Sequence, residues 1–452
     1  MNVSSRQQLI ATDQRYLVVG LGETGMSVVN HLRAQGKTVS VVDTRKQPPN
    51  TSWLKDVHPE VPLYHESAPQ DYYDSSVTWV VSPGIAPSEP MVIEAQASGA
   101  LVLSDLDLFM EAARAPVIGI TGSNGKSTVT TLVGEMLSKA GLRAAVGGNL
   151  SPAALAILDD DIEVYVLEMS SFQLERSSAL GLDVAVVLNV TADHIDHHGS
   201  MAAYHAAKHR IFRKAKTAVV NDDDVLTQPL VDSTVRVIRY GAKAHRDAEF
   251  KLLNDALWVG VSKIIDVSEM ALPGRHNHLN ALVACAIAAC FDVTPEAMAA
   301  TLRTFSGLPH RCRVVQTIAG VTYVNDSKAT NVGAALAAIQ GLGPNSDLVL
   351  LAGGLSKGQD FSALVPAINR YVREVVVFGE AAGELAALPL LRPAIQVENL
   401  QQAVSRAAEI AQPGDTVLLS PACASMDQFK NYQDRGDQFV YFVSSLPGGA
   451  HE

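Results

Sequence analysis

In the run Thr121-Gly122-Ser123-Asn124-Gly125-Lys126-Ser127, residue types and spacing speak directly of chemistry. It follows the apolar segment Val117-Ile118-Gly119-Ile120 and leads into a helical pattern. A strand, a glycine-rich turn and Lys-Ser opening a helix make an anion site. Backbone amides point at phosphate oxygens there, and the helix dipole adds about half a positive charge. Lys126 is spaced to reach terminal phosphates, and the Ser127 hydroxyl to coordinate Mg2+. Nucleotide binding follows. The strict pattern requires glycine where this chain has Ile120, so the loop is a variant.

Other residues could serve the same centre. Glu168 stands just past the apolar run Val164–Leu167, at a strand's carboxyl end, where α/β sheets gather ligands and where a carboxylate could hold Mg2+. The stretch Asn189 to His198 is dense in imidazole and carboxylate and reads as a zinc site, a metal loop or a polar turn. Its spacing gives no clean tetrahedral set, which disfavours zinc. Lys208, on an amphipathic helix, reads by itself as a solvated surface residue. Gly20-Leu21-Gly22-Glu23-Thr24-Gly25 after a strand, with Asp43 ending the next one, is a dinucleotide fingerprint. Taken alone it admits an NAD-dependent oxidoreductase, although the same physics suits any diphosphate. A non-catalytic nucleotide-binding switch protein is a further alternative.

These groups need a large scaffold. The chain has 452 residues, 47% hydrophobic and 18% charged, enough for about three packed domains. Its formal net charge of −12 speaks against a general nucleic-acid binder, which needs a basic face. Four cysteines without a C-x-x-C pair read as reduced thiols of a cytoplasmic protein. The first residues lack a signal-peptide core, and the apolar run Ala281–Phe291 is far short of the roughly 20 residues that span a bilayer. No membrane association is expected.

Periodicity predicts strands at Tyr16–Val19, Thr38–Val42 and Trp79–Val81 with a helix from Gly25 to Ala34, the rhythm of a parallel sheet. A linking helix is expected over Asp105–Ala113. Strands then follow at Pro116–Thr121, Val164–Leu167, Val184–Leu188 and Ala218–Val220, with an antiparallel insertion between Tyr240 and Ser268 and a buried helix near Ala281–Cys290. The last part shows strands at Val321–Val324, Leu348–Leu351, Glu374–Phe378 and Thr416–Leu419 among alanine-rich helices. The expectation is an α/β protein of three domains, 1–104, 105–307 and 308–452.

The variant loop resembles that of the Mur ligase family, which joins a carboxylate to an amine through an acyl-phosphate made from ATP. Glu168-Met169-Ser170-Ser171-Phe172-Gln173, Gly307-Leu308-Pro309-His310-Arg311, the run Asn325–Asn331 and Ser420–Phe429 match the family as well, so the likeness spans nearly the whole chain. It implies a Rossmann-like domain for the UDP substrate, a central P-loop ATPase-like domain and a Rossmann-like third domain. The reaction implied is ATP-dependent addition of D-glutamate to UDP-N-acetylmuramoyl-L-alanine in cytoplasmic peptidoglycan precursor synthesis, by a monomer that binds these small-molecule substrates and neither nucleic acid nor membrane. A sister ligase adding another amino acid is the nearest alternative.

By the same resemblance, ATP is held by Gly122, Ser123, Asn124, Gly125, Lys126, Ser127, Thr128, Asn277, Asn280, Arg311, Asp326 and Lys328. Two Mg2+ ions are implied, with Ser127, Glu168, His194 and Lys208 as ligands, Lys208 being carbamylated by CO2. Lys126, Glu168, His194 and Lys208 form the catalytic group, His194 being considered as a base. His197 and His198 match no family role and are expected as solvated loop residues. Thr24, Asp43, Thr44, Arg45, Gly84, Asn149 and Ser170 are implied for the UDP substrate. Thr330, Lys357, Ser425 and Tyr432 are implied for D-glutamate, with Lys357 pairing its γ-carboxylate. Leu355 replaces an aspartate of some relatives, and Tyr432 a familiar phenylalanine.

Overall fold

The structure is a computed structural model and describes residues 14–242, 248–272, 274–343, 347–356 and 358–448. Lys357 lies outside them. The chain folds into two compact units. One runs to Val190 and adds His197–Asp266 and Ala281–Thr301; the other takes Thr191–Asp196, Val267–Asn280 and the chain from Leu302.

The first unit holds two sheets. Strands β1 (Arg15–Val19), β2 (Thr38–Asp43), β3 (Leu63–His65), β4 (Val77–Val81) and β5 (Leu101–Leu103) form an all-parallel sheet in the order β3-β2-β1-β4-β5. The β-branched runs at its centre are buried on both faces, as parallel sheets require. The two outermost strands, of three residues each, are too short to show any periodicity in the sequence.

The second sheet comprises β6 (Val117–Thr121), β7 (Ala144–Gly148), β8 (Val164–Glu168), β9 (Val184–Val187), β10 (Thr217–Asn221), β11 (Arg236–Gly241), β12 (Phe250–Leu253), β13 (Ala256–Val259) and β14 (Ser262–Asp266). Their order is β14-β13-β12-β11-β10-β9-β6-β8-β7. β6 is an interior strand, between β9 and β8, and every one of its residues is buried. Only β12-β13-β14 run antiparallel, a hairpin extension within the stretch expected to be an antiparallel insertion. The buried helix expected near Ala281–Cys290 is longer, Arg275–Ala288.

The second unit is built on β15 (Arg313–Ile318), β16 (Val321–Asn325), β17 (Leu348–Gly353), β18 (Val372–Phe378), β19 (Ile395–Gln396) and β20 (Thr416–Leu419), ordered β15-β16-β20-β17-β18-β19 and parallel except for β15. The strand period of two splits its core cleanly. Leu348, Leu350 and Ala352 pack on one face against the helices Val332–Leu342 and Val365–Tyr371, while Val349 and Leu351 pack on the other with Phe439. Among the described residues no helix is long and apolar enough to cross a membrane.

Candidate active site

Parallel pairing brings the carboxyl ends of β6, β7 and β8 to one edge. Ile120 lies opposite Glu168, and Gly148 opposite Glu168 on the other side. The loop after β6 crosses this edge and enters the helix Lys126–Lys139 through Gly125, whose φ of 84° is left-handed and suits glycine. Asn189 anchors the loop. Its side-chain oxygen accepts from the Asn124 amide at 2.9 Å, its Nδ2 donates to the Asn124 carbonyl at 3.0 Å, and its own carbonyl accepts from the Ser123 amide at 3.0 Å. Ser123 Oγ is 3.0 Å from the Tyr204 hydroxyl. Thr128 is buried in the first helical turn.

Lys126 curls back over the loop, donating to the carbonyls of Gly122 at 2.8 Å and Ser123 at 2.9 Å. Ser127 Oγ donates to Glu168 Oε2, and Asn149 Nδ2 donates to Glu168 Oε1 at 2.6 Å. All three oxygen-bearing side chains therefore meet at one point of the sheet edge. The hydroxyl and carboxylate are oxygen donors of the kind hard divalent cations take. Asn149, implied for the UDP substrate, is thus also a neighbour of Glu168. Lys208 is not a solvated helix residue: only 1% of it is exposed, its Nζ donates to the Gly122 carbonyl at 2.9 Å and lies 4.4 Å from the Tyr204 ring centroid.

In the first sheet, Gly20 adopts a φ of 94°, and a methyl on Gly25 would strike the Gly20 carbonyl, so the helix Glu23–Ala34 approaches β1 closely. Thr24 lies in that helix's first turn, and Gly84 is exposed after β4. The Asp43 carboxylate is buried at the end of β2 and accepts from the Leu21 amide at 2.8 Å and from Arg45 Nε and Nη2, each at 2.8 Å. Burial alone would raise this carboxyl; Arg45 and the two backbone amides outweigh it and hold it below its ordinary value. Thr44 sits between them in sequence, half-buried. Ser170 caps the helix Ser171–Arg176, accepting from the Gln173 amide at 3.2 Å.

The second unit gathers the remaining residues. His194, with a φ of 52°, stands 3.6 Å from Asp193, which also accepts from Asn331 Nδ2 at 3.0 Å. Asn277 is buried on the helix Arg275–Ala288, with Asn280 Nδ2 3.4 Å from its side-chain oxygen. Asp326 ends β16's extension: it accepts from the Cys312 amide at 3.2 Å and from Ser420 Oγ at 2.8 Å, and burial pushes its carboxyl up to about 7. Arg311, beside Cys312, is half-buried and draws that carboxyl downward. Lys328 Nζ lies 4.0 Å over the Tyr432 ring. Thr330 is half-buried one residue before the helix cap Asn331, and Ser425 is buried.

Two residues outside the sequence assignments organise these sites. Asn189 lies in a motif noted for its histidines, and its grip on the loop has no sequence signal. Arg435 is wholly buried and ties three segments together. It donates to Ser327 Oγ at 2.9 Å, to the Ser327 carbonyl at 2.8 Å, and to the Cys423 and Ala424 carbonyls at 3.1 and 3.3 Å. Burial lowers its guanidinium to about 10, so it stays charged at neutral pH.

The expectation that His197 and His198 are solvated loop residues is wrong. They close the short helix Ile195–His198, with the His198 side chain fully buried and that of His197 only 19% exposed. Both pack on Phe172, which covers them from water.

The fold and site define a Mur ligase, and the chain belongs to that family. Residues 14–104 match the Mur ligase MurD-like N-terminal domain, 120–288 the Mur ligase middle domain and 310–423 the Mur ligase glutamate ligase domain. Among curated proteins, the chain is 48% identical to the UDP-N-acetylmuramoylalanine–D-glutamate ligase of Pseudomonas aeruginosa, over 97% of this chain and 99% of that one. It is 45% identical to the enzyme of the same name from Marinobacter nauticus, over 97% and 100%. The fold is similar to that of a pseudomurein peptide ligase type C from Methanothermus fervidus (TM-score 0.61, 17% identity, 95% of this chain and 99% of that one). It is similar also to the MurF ligase of Thermotoga maritima in complex with ADP (TM-score 0.61, 17% identity, 96% and 97%).

Proposed function

We propose that this chain adds D-glutamate to UDP-N-acetylmuramoyl-L-alanine at the expense of ATP, in the cytoplasm, acting as a monomer. The observation that carries the reading is the sheet edge where Lys126, Ser127 and Glu168 converge beside the buried Lys208. A carboxylate oxygen of the muramoyl-L-alanine attacks the γ-phosphorus, the bond to the β-phosphate oxygen breaks, and ADP leaves an acyl-phosphate. The D-glutamate amine then attacks the acyl carbon, phosphate departs, and one proton is lost from nitrogen.

The loop from Gly122 to Thr128 cradles the phosphates with backbone amides and the helix N-terminus. Lys126 leaves its carbonyl partners to meet the charge that spreads over the transferring group. Mur ligases are ATP-dependent and typically use Mg2+; Ser127 and Glu168 would hold it, and when bound it neutralises phosphate charge. A second Mg2+ is assigned to Lys208 as its carbamate, with His194 as a further ligand. Asn277 and Asn280 hold adenine, and Arg311, Asp326 and Lys328 serve the nucleotide. Thr24, Asp43, Thr44, Arg45, Gly84, Asn149 and Ser170 serve the UDP substrate, while Thr330, Ser425, Tyr432 and Lys357 hold D-glutamate.

Phosphate release with ATP, Mg2+ and UDP-N-acetylmuramoyl-L-alanine, measured across a panel of D- and L-amino acids, tests the reading. Release that depends on D-glutamate is expected, and release that ignores its identity or needs L-alanine refutes it. Bicarbonate should stimulate the wild type, and carbon-13-labelled CO2 should give a carbamate resonance that is missing in Lys208→Ala.

A further inference from the structure

Glu175, His197 and His198 form a cluster that the ligase chemistry does not use. Glu175 and Ser171 lie one turn apart on the helix Ser171–Arg176 and so share a face. The two histidines face them from the helix Ile195–His198. One ligand atom from each of Glu175, His197 and His198 can be chosen so that all three lie within 4.8 Å of one another.

The spacing suits a bound ion. His197 Nε2 is 3.0 Å from Glu175 Oε2, and His198 Nδ1 is 3.6 Å from Glu175 Oε1. Around a tetrahedral zinc, ligand arms of about 2.0–2.1 Å set neighbouring donors about 3.3–3.4 Å apart, between those two distances. His198 Nδ1 is buried and has no hydrogen-bond partner, although buried polar atoms nearly always have one. Its other nitrogen, Nε2, lies 3.0 Å from Ser171 Oγ. Donation from Nε2 to that hydroxyl leaves the lone pair on Nδ1 pointing at Glu175, the arrangement by which an outer partner orients a metal-binding imidazole. Phe172 stacks on His198 at 16° and meets His197 edge to face, fixing both rings. Glu175 is 31% exposed on its side chain, which gives an ion a way in and leaves room for water as a fourth ligand.

We propose that Glu175, His197 and His198 bind a divalent transition metal, Zn2+ foremost, at a site separate from Ser127 and Glu168. Two imidazoles and one carboxylate favour Zn2+ over Mg2+, which prefers all-oxygen octahedral shells. Asp193, His194 and Asp196 stand nearer along the chain, yet the fold supplies the third ligand from 22 residues upstream of His197.

Untagged protein in excess Mg2+ should be titrated with Co2+, whose intense visible bands report tetrahedral coordination, and the bands then challenged with Zn2+. One equivalent of tetrahedral Co2+ is expected, displaced by Zn2+. His197→Ala and Glu175→Gln, both at partly exposed positions, should each weaken it at least about tenfold, the scale seen even for outer-shell partners. Glu168→Gln should leave the bands unchanged. Absence of tetrahedral bands overturns the proposal. So do bands that survive both ligand variants, or that vanish in Glu168→Gln and persist in Glu175→Gln. His198→Gln, checked for folding by circular dichroism, adds the buried ligand.

Discussion

Replacing Arg435 with methionine keeps most of the stem's volume and removes its planar fork. The guanidinium makes five contacts: to Ser327 Oγ at 2.9 Å and to the carbonyls of Ser327, Cys423, Ala424 and Gly353 at 2.8, 3.1, 3.3 and 3.4 Å. Hydrogen bonds from a charged donor contribute roughly 1.5–3 kcal/mol each, but only the two shortest to Ser327 approach that figure, and the longer three are weaker. Against their sum stands the guanidinium's desolvation, several kcal/mol that the variant no longer carries. What remains is the penalty of stranded buried acceptors, roughly 1–3 kcal/mol for each that finds no new donor and about 3–5 kcal/mol for two or three of them. At roughly 2–4 °C per kcal/mol for a unit of this size, the thermal midpoint should fall by about 6–20 °C. Ser425 follows directly on Cys423 and Ala424, so the KM for D-glutamate should rise at least about tenfold, equivalent to about 1.4 kcal/mol, and more than the KM for the UDP substrate. Calorimetry and steady-state phosphate release read both. Arg435→Lys, which retains charge and loses the fork, should fall between. A methionine variant with wild-type midpoint and wild-type D-glutamate KM would refute the reasoning.

Three further outcomes are expected. Asn189→Ala removes both side-chain bonds to Asn124 and should weaken binding of a non-hydrolysable ATP analogue about thirtyfold by titration calorimetry, at about 1 kcal/mol per bond; unchanged affinity would mean that the loop holds its own shape. Gly148 has a φ of 104°, and a methyl there would collide with the Glu168 carbonyl. Gly148→Ala should therefore cost about 1–3 kcal/mol in stability and depress Mg2+-dependent phosphate release, whereas full activity would show that the strand end tolerates displacement. Asp326 is raised by burial from its ordinary 3.8 to about 7, so the folded state binds its proton more tightly than the unfolded chain does. Its contribution to stability is complete below the ordinary value and is lost as pH climbs toward 7, at most about 1.4 kcal/mol per pH unit. Asp326→Asn should flatten that slope in denaturant unfolding measured across the window, and parallel slopes would count against it.

Much of this protein was legible before any coordinates. The apolar runs of β1, β2, β4, β6, β8 and β17 are long enough to be read as strands, and Gly20, Gly25 and Gly125 mark places where a side chain would clash or a left-handed φ is needed. The short strands β3, β5 and β19 were not legible, because two or three residues hold no pattern and their pairing is set by neighbours. The loop Thr121–Ser127 could be read because its chemistry is local: amides, a lysine and a hydroxyl within one turn.

The sequence by itself determined a variant phosphate loop, an α/β architecture and the resemblance that led to the Mur ligases. Tertiary structure decided which groups share a point in space. Register across β6, β7 and β8 puts Ser127, Glu168 and Asn149 in contact. Burial turned Lys208 from an ordinary helix lysine into an enclosed amine, and His197 and His198 from a polar turn into neighbours of Glu175. Arg435 became the tie between Ser327 and the segment at Cys423. Such encounters join residues tens of positions apart, and their energies depend on exclusion of water, which no spacing along a chain encodes.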